Sequence, residues 1–297
     1  PTVVASWLNS FEGPAAKYYL SNPLSLMGGS IEATMHFFWR TDDSLPMSFF
    51  QENDSLWYWP LDGIRIDQKL LIFLAELQGG DEGLGFELCN NTAVAIDNPD
   101  DNPLHWHIQN IPLPTRNSRI MMGSALEVSE GYLYSFCCQE PGTHEIYLAR
   151  WPIDSARIGH LLNPEWWLGD KTGWLRNPDS TIFPETLFER GGTEFSVWFD
   201  SSLKRFFQVQ TIGYGQAHLA LRQTTTITGP WSEPETIFNP AENSIPNIMI
   251  YAAKAHPHIS DTSIVLTYAT NGPESLIVAD TCIYYPRFVR VNLIPQE

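Results

Sequence analysis

The sequence predicts an all-β protein folded as a five-bladed β-propeller whose first blade is atypical or incomplete. Three observations carry that expectation. From Trp57 onward, short apolar strands follow one another, joined by turns of Gly, Pro, Asp, Asn and Ser. The strands recur in groups, and the first strand of each group carries one polar residue: Asp62, Ser124, Glu194 and Lys254, at steps of 62, 70 and 60 positions. Repeated antiparallel sheets at such an interval are the signature of a propeller. Finally, 11 Trp and 22 Pro with only 17% charged residues favour many short strands over long helices.

Taken in order, residues 1–50 are the least regular. Segments 2–8 and 31–40 (IEATMHFFWR) read as strands of a partial first blade. The blade at 57–113 has strands at 57–67, 69–77, 86–97 and 105–113, with the turn cluster NPDDNP at 98–103. The blade at 123–170 has strands at 124–128, 132–139 and 144–153. A short helix over 154–162, with Asp154 as its N-cap, and an irregular stretch around Glu165-Trp166-Trp167 follow. The blade at 188–240 has strands at 193–200, 205–212, 218–226 and 231–238. In 193–200, Glu194, Ser196, Trp198 and Asp200 alternate with Phe195, Val197 and Phe199, so the two sets take opposite faces. The blade at 246–293 has three strands, at 248–259, 263–270 and 281–293. An N-terminal strand would complete it and close the ring. The whole chain, 1–297, is then one domain.

Charge and composition exclude several function classes. The net charge is −17, from 17 Lys+Arg against 34 Asp+Glu, which repels nucleic acid and anionic lipid surfaces. No apolar run has the length of a membrane span. Cys89, Cys137, Cys138 and Cys282 show no metal-binding spacing and read as free thiols; Cys137 and Cys138 point to opposite faces of one strand. The first residue is Pro rather than Met, which predicts a processed or trimmed start and leaves the compartment open. No phosphate-binding loop, dinucleotide fingerprint, nucleophile elbow or HExxH motif occurs.

Several phrases then resemble a known family. They are Trp59-Pro60-Leu61-Asp62-Gly63, the run from Asp97 to Leu104, Thr193-Glu194-Phe195-Ser196-Val197 and Thr228-Gly229-Pro230-Trp231-Ser232. Tyr251-Ala252-Ala253-Lys254-Ala255-His256-Pro257 and Tyr284-Tyr285-Pro286-Arg287-Phe288 complete the set. Together they resemble bacterial and fungal five-bladed propeller proteins of a domain-of-unknown-function family, related to the arabinanase and β-xylosidase clan. Some members are implicated as endo-D-arabinanases. The resemblance covers Trp57 to the C-terminus. It does not extend to residues 1–50, which lack the family's opening Gly-Asp strand pair. In the wider clan the general base is an Asp of that first blade.

A propeller's inner strands converge on one axial funnel, and glycoside cleavage needs two carboxyls there. Glu194, among aromatics that raise a carboxyl pKa, is the candidate general acid. Asp62 is the candidate assisting carboxylate; an Asp-Gly turn is its ordinary alternative. Lys254, His256, Arg287, Tyr251, Trp59 and Tyr284 are the candidate substrate contacts, with Trp166 and Trp167 as further flat faces. Core packing is the ordinary role of each aromatic. Lys254 and Arg287 also suit holding the two carboxyls ionised. His105 and His107 read as surface residues, and Asp97, Asp100 and Asp101 as a turn rather than a Ca²⁺ site.

The resemblance implies a hydrolase of furanose-containing, arabinan-like polysaccharide, acting as a monomer on carbohydrate. No cofactor is required and no metal ligand set is assigned, though the resemblance leaves room for a structural Ca²⁺ in the central funnel through His256 and water. The alternative is a non-catalytic carbohydrate-binding propeller that lacks the base. A polysaccharide substrate would favour a secreted or periplasmic location.

Overall fold

In a computed structural model, most of residues 38–292 are described, with the backbones of Val3–Val4 and Pro23–Leu24 before them. Positions 39, 43–44, 51–55, 82–84, 115–118, 179–181, 214, 258–262, 281–282, 284–286 and 293–297 lie outside the described residues, as does the rest of 1–37. Two small antiparallel pairs come first: β1 (Val3–Val4) with β2 (Pro23–Leu24), and β3 (Arg40–Asp42) with β4 (Leu45–Met47). The expected first-blade strands 2–8 and 31–40 therefore fall largely outside the described residues.

Four antiparallel sheets follow, and the fold is an all-β propeller. The first sheet holds β5 (Leu56–Ile66), β6 (Lys69–Gly79), β7 (Phe86–Ile96) and β8 (Ile108–Pro112) in that order. The second holds β9 (Ile120–Ser129), β10 (Tyr132–Gln139), β11 (Ile146–Pro152), β12 (Glu165–Trp167) and β13 (Trp174–Arg176). The third holds β14 (Phe195–Asp200), β15 (Arg205–Ile212), β16 (His218–Thr224) and β17 (Glu235–Phe238). The fourth holds β18 (Met249–His256), β19 (Ile264–Asn271) and β20 (Arg287–Val291).

Two details depart from the sequence expectation. The stretch around Trp166 is not irregular: β12 and β13 pair there and extend the second sheet to five strands. The helix after β11 spans only α1 (Ile153–Arg157), and its N-cap is Pro152, with no side-chain cap bond. Asp154 lies inside the first turn and pairs with Arg157, which also reaches Asp67. A second short helix, α2 (Glu274–Ala279), fills the link before β20.

The sheets stack face to face, because each central strand is apolar on both sides. In β6, Leu71 and Phe73 join a core with Leu133, Cys137, Tyr147 and Trp151 of the second sheet. Their neighbours Leu70, Ile72 and Leu74 face the opposite way, against Phe49 and Phe50. In β10, Tyr134, Phe136 and Cys138 turn from the first core to a second one with Phe195, Val197 and Phe206. A third core joins Trp198, Phe207 and Val209 to Ile250, Leu266 and Tyr268. The opposed burial of Cys137 and Cys138 is the one the strand period requires. Among the described residues, Cys89, Cys137 and Cys138 are free thiols.

The inner strands β5, β9, β14 and β18 lie side by side in sequence order. Three of them carry a register shift at their polar residue: between Pro60 and Gly63, around Gly123-Ser124 opposite Phe136/Cys137, and between Tyr251 and Lys254. A bulge re-aims the side chain beside it. Gly123 makes one of these bulges. Its φ is +96°, and a Cβ there would lie 2.4 Å from Phe73 Cβ. Gly123→Ala should therefore destabilise the protein by about 3 kcal/mol or more, through backbone strain and overpacking together. Denaturant unfolding checks this, with the control Gly131→Ala, whose Cβ would meet nothing within 4 Å, costing less.

Candidate functional site

The four inner strands meet around the side chain of Lys254. Lys254 Nζ donates to Phe195 O at 2.7 Å and Ser124 O at 3.3 Å, and lies 3.9 Å from Asp62 Oδ1. One ammonium thus ties three other inner strands to its own. Further bonds lock the same ring: Ala255 N donates to Ser196 Oγ at 3.0 Å, and Leu126 N to Asp62 Oδ2 at 2.7 Å. Ser124 Oγ is buried and has no hydrogen-bond partner among the described residues.

Asp62 is held on both oxygens, since Gly63 N donates to Oδ1 at 3.0 Å. A quarter of its side chain stays exposed, like 22% of Lys254. Burial raises the Asp62 pKa, against Lys254 and the two amide donors, which lower it. Glu194 lies one residue before β14 and is half-buried. Burial raises its pKa too, and Lys254 alone opposes it. Three groups thus favour the charged form of Asp62, and Lys254 alone that of Glu194.

Glu127 on β9 is the site residue that sequence reasoning missed. Burial, then the charge of Asp62, push it up to about 8, although the Phe199 amide pulls the other way. The available signal was a carboxylate inside the apolar run IMMGSALEV. Its proton has a stability consequence with a definite sign. The folded protein keeps the proton to about 8 and the unfolded chain only to the ordinary Glu value. Stability is therefore full below that value and falls as pH rises through the window up to about 8. The loss is on the order of 5 kcal/mol at most. Thermal melts from pH 5 to 8 should show the fall, and Glu127→Gln should flatten it; an unchanged slope contradicts the assignment.

The other predicted residues divide between the centre and the periphery. His256 is buried two residues beyond Lys254, with Nε2 2.8 Å from Thr267 Oγ1. Burial and Lys254 push its pKa down to about 4, so it is neutral at pH 7. Tyr251 sits half-buried at the start of β18. Trp59, three residues before Asp62, packs edge-on to Phe86 at 4.5 Å. Arg287 is on β20 and pairs with Glu242 at 3.0 Å, beside Tyr268, whose hydroxyl donates to the same carboxylate. It therefore serves neither Asp62 nor Glu194 among the described contacts. Trp166 is core, Trp167 packs on Trp174, and Tyr284 lies outside the described residues. Asp100 and Asp97 pair with Arg65 and Lys69, and Asn98 donates to Asp101, which accounts for NPDDNP as a turn.

The centre does not suit a structural Ca²⁺. Lys254 occupies the cationic position, and both Asp62 oxygens are already engaged. Among the described residues, a divalent cation there would face the like charge of Lys254 and Asp62 oxygens that are already bonded.

Comparison with known proteins agrees with this architecture. No curated protein matches the sequence. A Bacteroides ovatus ATCC 8483 structure described as a "putative hydrolase" matches with TM-score 0.61 and 16% identity, over 80% of this chain and 61% of that one. The chain thus spans about three-fifths of that protein's length. The endo-arabinase from Bacteroides thetaiotaomicron VPI-5482 matches with TM-score 0.50 and 13% identity, over 89% of this chain and 84% of that one. At such identities the likeness concerns the fold. Sequence settles the family: residues 36–293 match the domain of unknown function DUF5005, and the chain belongs to it.

Proposed function

We propose that the protein is a glycoside hydrolase-like five-bladed propeller that binds and cleaves a furanose-containing, arabinan-like polysaccharide at its axis. The observation that carries this reading is the approach of Lys254 to Asp62 across two inner strands, both still partly exposed, with Glu194, just before β14, within reach of the same charge. Glu194 is the general acid: a half-buried carboxyl whose pKa burial raises can pass its proton to the glycosidic oxygen as that bond breaks, while water bonds to the anomeric carbon and its released proton restores the acid. Asp62, fixed by two amides and a cation that favour its charged form, offsets positive charge at the anomeric carbon. Lys254, neutral His256, Tyr251 and Trp59 contact the sugar, as do Tyr284 and Arg287 if the substrate extends outward. No cofactor takes part. The protein acts as a monomer on carbohydrate, and such a substrate fits a secreted or periplasmic setting. Neither nucleic acid nor membrane is a partner, given the net charge of −17. Among the described residues, no helix is long and apolar enough to cross a membrane.

The second reading is a carbohydrate-binding propeller without catalysis. It is favoured by the residues 1–50, which lack the Gly-Asp strand pair from which the clan's base comes. One screen separates the two. Purified protein is incubated with arabinan, arabinogalactan and xylan, and both released sugar and retained polysaccharide are measured. Release supports the hydrolase; retention without release supports the binding module; neither from any of the three removes both.

A further inference from the structure

Away from the axis, the turn between β10 and β11 gathers a second chemical cluster. Its sequence is Cys138-Gln139-Glu140-Pro141-Gly142-Thr143-His144. Cys138 Sγ lies 3.7 Å from Glu140 Oε1 and 3.9 Å from His144 Nδ1, and those two atoms are 2.6 Å apart. A sulfur, an imidazole nitrogen and a carboxylate oxygen thus form one small triangle.

We propose that Cys138, Glu140 and His144 form a binding site for a thiophilic divalent cation, zinc foremost, with the fourth position open to water. Three arguments lead there. The first is size. Tetrahedral zinc, with bonds of about 2.3 Å to sulfur and 2.0–2.2 Å to nitrogen and oxygen, has ligand-to-ligand edges of roughly 3.3–3.6 Å. The two sulfur edges are within a few tenths of an ångström of that. The third is shorter because a proton now bridges it, and it needs to open by about 0.7 Å once the proton leaves.

The second argument is donor chemistry. Thiolate with imidazole and carboxylate selects late transition metals over Ca²⁺ or Mg²⁺. The third is preorganisation. Glu140 N donates to Arg119 O at 2.6 Å, Gln139 N to Glu145 O at 3.0 Å, and Gly191 N to His144 O at 2.8 Å. His144 has φ +55°, a left-handed conformation that a non-Gly residue keeps only when its surroundings hold it. Cys138 is buried, while 44% of the His144 side chain is exposed, which leaves an entry path and a place for water.

Binding is a ligand exchange with no change of oxidation state. The Cys138 S–H bond breaks and its proton goes to solvent. The sulfur electron pair forms the metal bond, and the proton shared by Glu140 and His144 is released in the same way. The site ties the β10–β11 turn to the segment that enters the third sheet, because Leu187 and Phe188 bond to Ile146 directly after it. It is independent of the axial site and of the carbohydrate reading.

Co²⁺ titration of chelator-stripped full-length protein tests this. One equivalent should give a thiolate-to-cobalt charge-transfer band with tetrahedral d–d bands, and Zn²⁺ should displace it. Cys138→Ser should lose the charge-transfer band and Cys89→Ser keep it. His144→Gln, at a half-exposed position, should weaken binding at least tenfold while circular dichroism stays unchanged. No binding, binding without the charge-transfer band, or His144→Gln with wild-type affinity would each overturn the site.

Discussion

Lys254→Met should cost about 3–5 kcal/mol of stability, the usual effect of removing one partner from a buried, charge-bearing network. The side chain reaches Phe195 O and Ser124 O and faces Asp62, so methionine leaves two inner-strand carbonyls without their donor. It also leaves Asp62 and Glu194 without the cation that lowers both their pKa values. The sign with pH follows. Without Lys254, both carboxyls rise further above their unfolded values in the folded state. The variant's deficit is smallest below those unfolded values and grows as pH rises through the carboxyl range. Urea unfolding of both proteins at pH 4 and pH 7.5 measures this. A deficit below 1 kcal/mol, or one that shrinks with rising pH, would show that Lys254 does not hold the centre together.

Glu194→Gln should lower sugar release by about 10²–10⁴-fold, the span a general acid supplies, with KM little changed. Gln keeps the shape and removes the transferable proton. Because Glu194 is a half-buried acid that Lys254 alone stabilises as the anion, the neutral amide should leave stability equal or slightly higher at pH 7. Asp62→Asn differs. It keeps an acceptor for only one of the Leu126 and Gly63 amides, sets an NH2 against the other and lacks the charge facing Lys254, so rate and stability should fall together. Steady-state rates and melts of the two variants side by side separate the acid from the supporting carboxylate. Equal rates for Glu194→Gln and wild type would remove Glu194 from the mechanism.

Much of this was legible in the chain because a propeller writes its blades locally. β10 and β15 match the expected 132–139 and 205–212 in full, since Gly131 and the Asp200-Ser201-Ser202 turn mark their starts. The 60- to 70-residue recurrence of Asp62, Ser124, Glu194 and Lys254 placed four inner strands, and these backbones do meet. Strands β12 and β13 escaped because each has only three residues and Trp167 packs against Trp174 across the pair, which no period-two count registers. Asp154 was misread as a cap because its charge answers Arg157 rather than a helix amide. Arg287 is expected as a substrate contact because its neighbours Tyr284-Tyr285-Pro286 and Phe288 resemble a family phrase, which carries no information on strand order. The strand order β18-β19-β20 puts it two strands out, against Glu242. Glu127 is not legible because its raised pKa comes first from burial and only then from Asp62, 65 positions away, and both depend on how β9 packs against its neighbours.

The most direct test of the axial site is a crystal structure of Glu194→Gln soaked with an arabino-oligosaccharide. The account predicts sugar density in the funnel, with a glycosidic oxygen within hydrogen-bond distance of the residue 194 amide and a ring hydroxyl on Lys254 Nζ or Asp62. Density bound only away from β5, β14 and β18, or an empty funnel at saturating ligand, would contradict it.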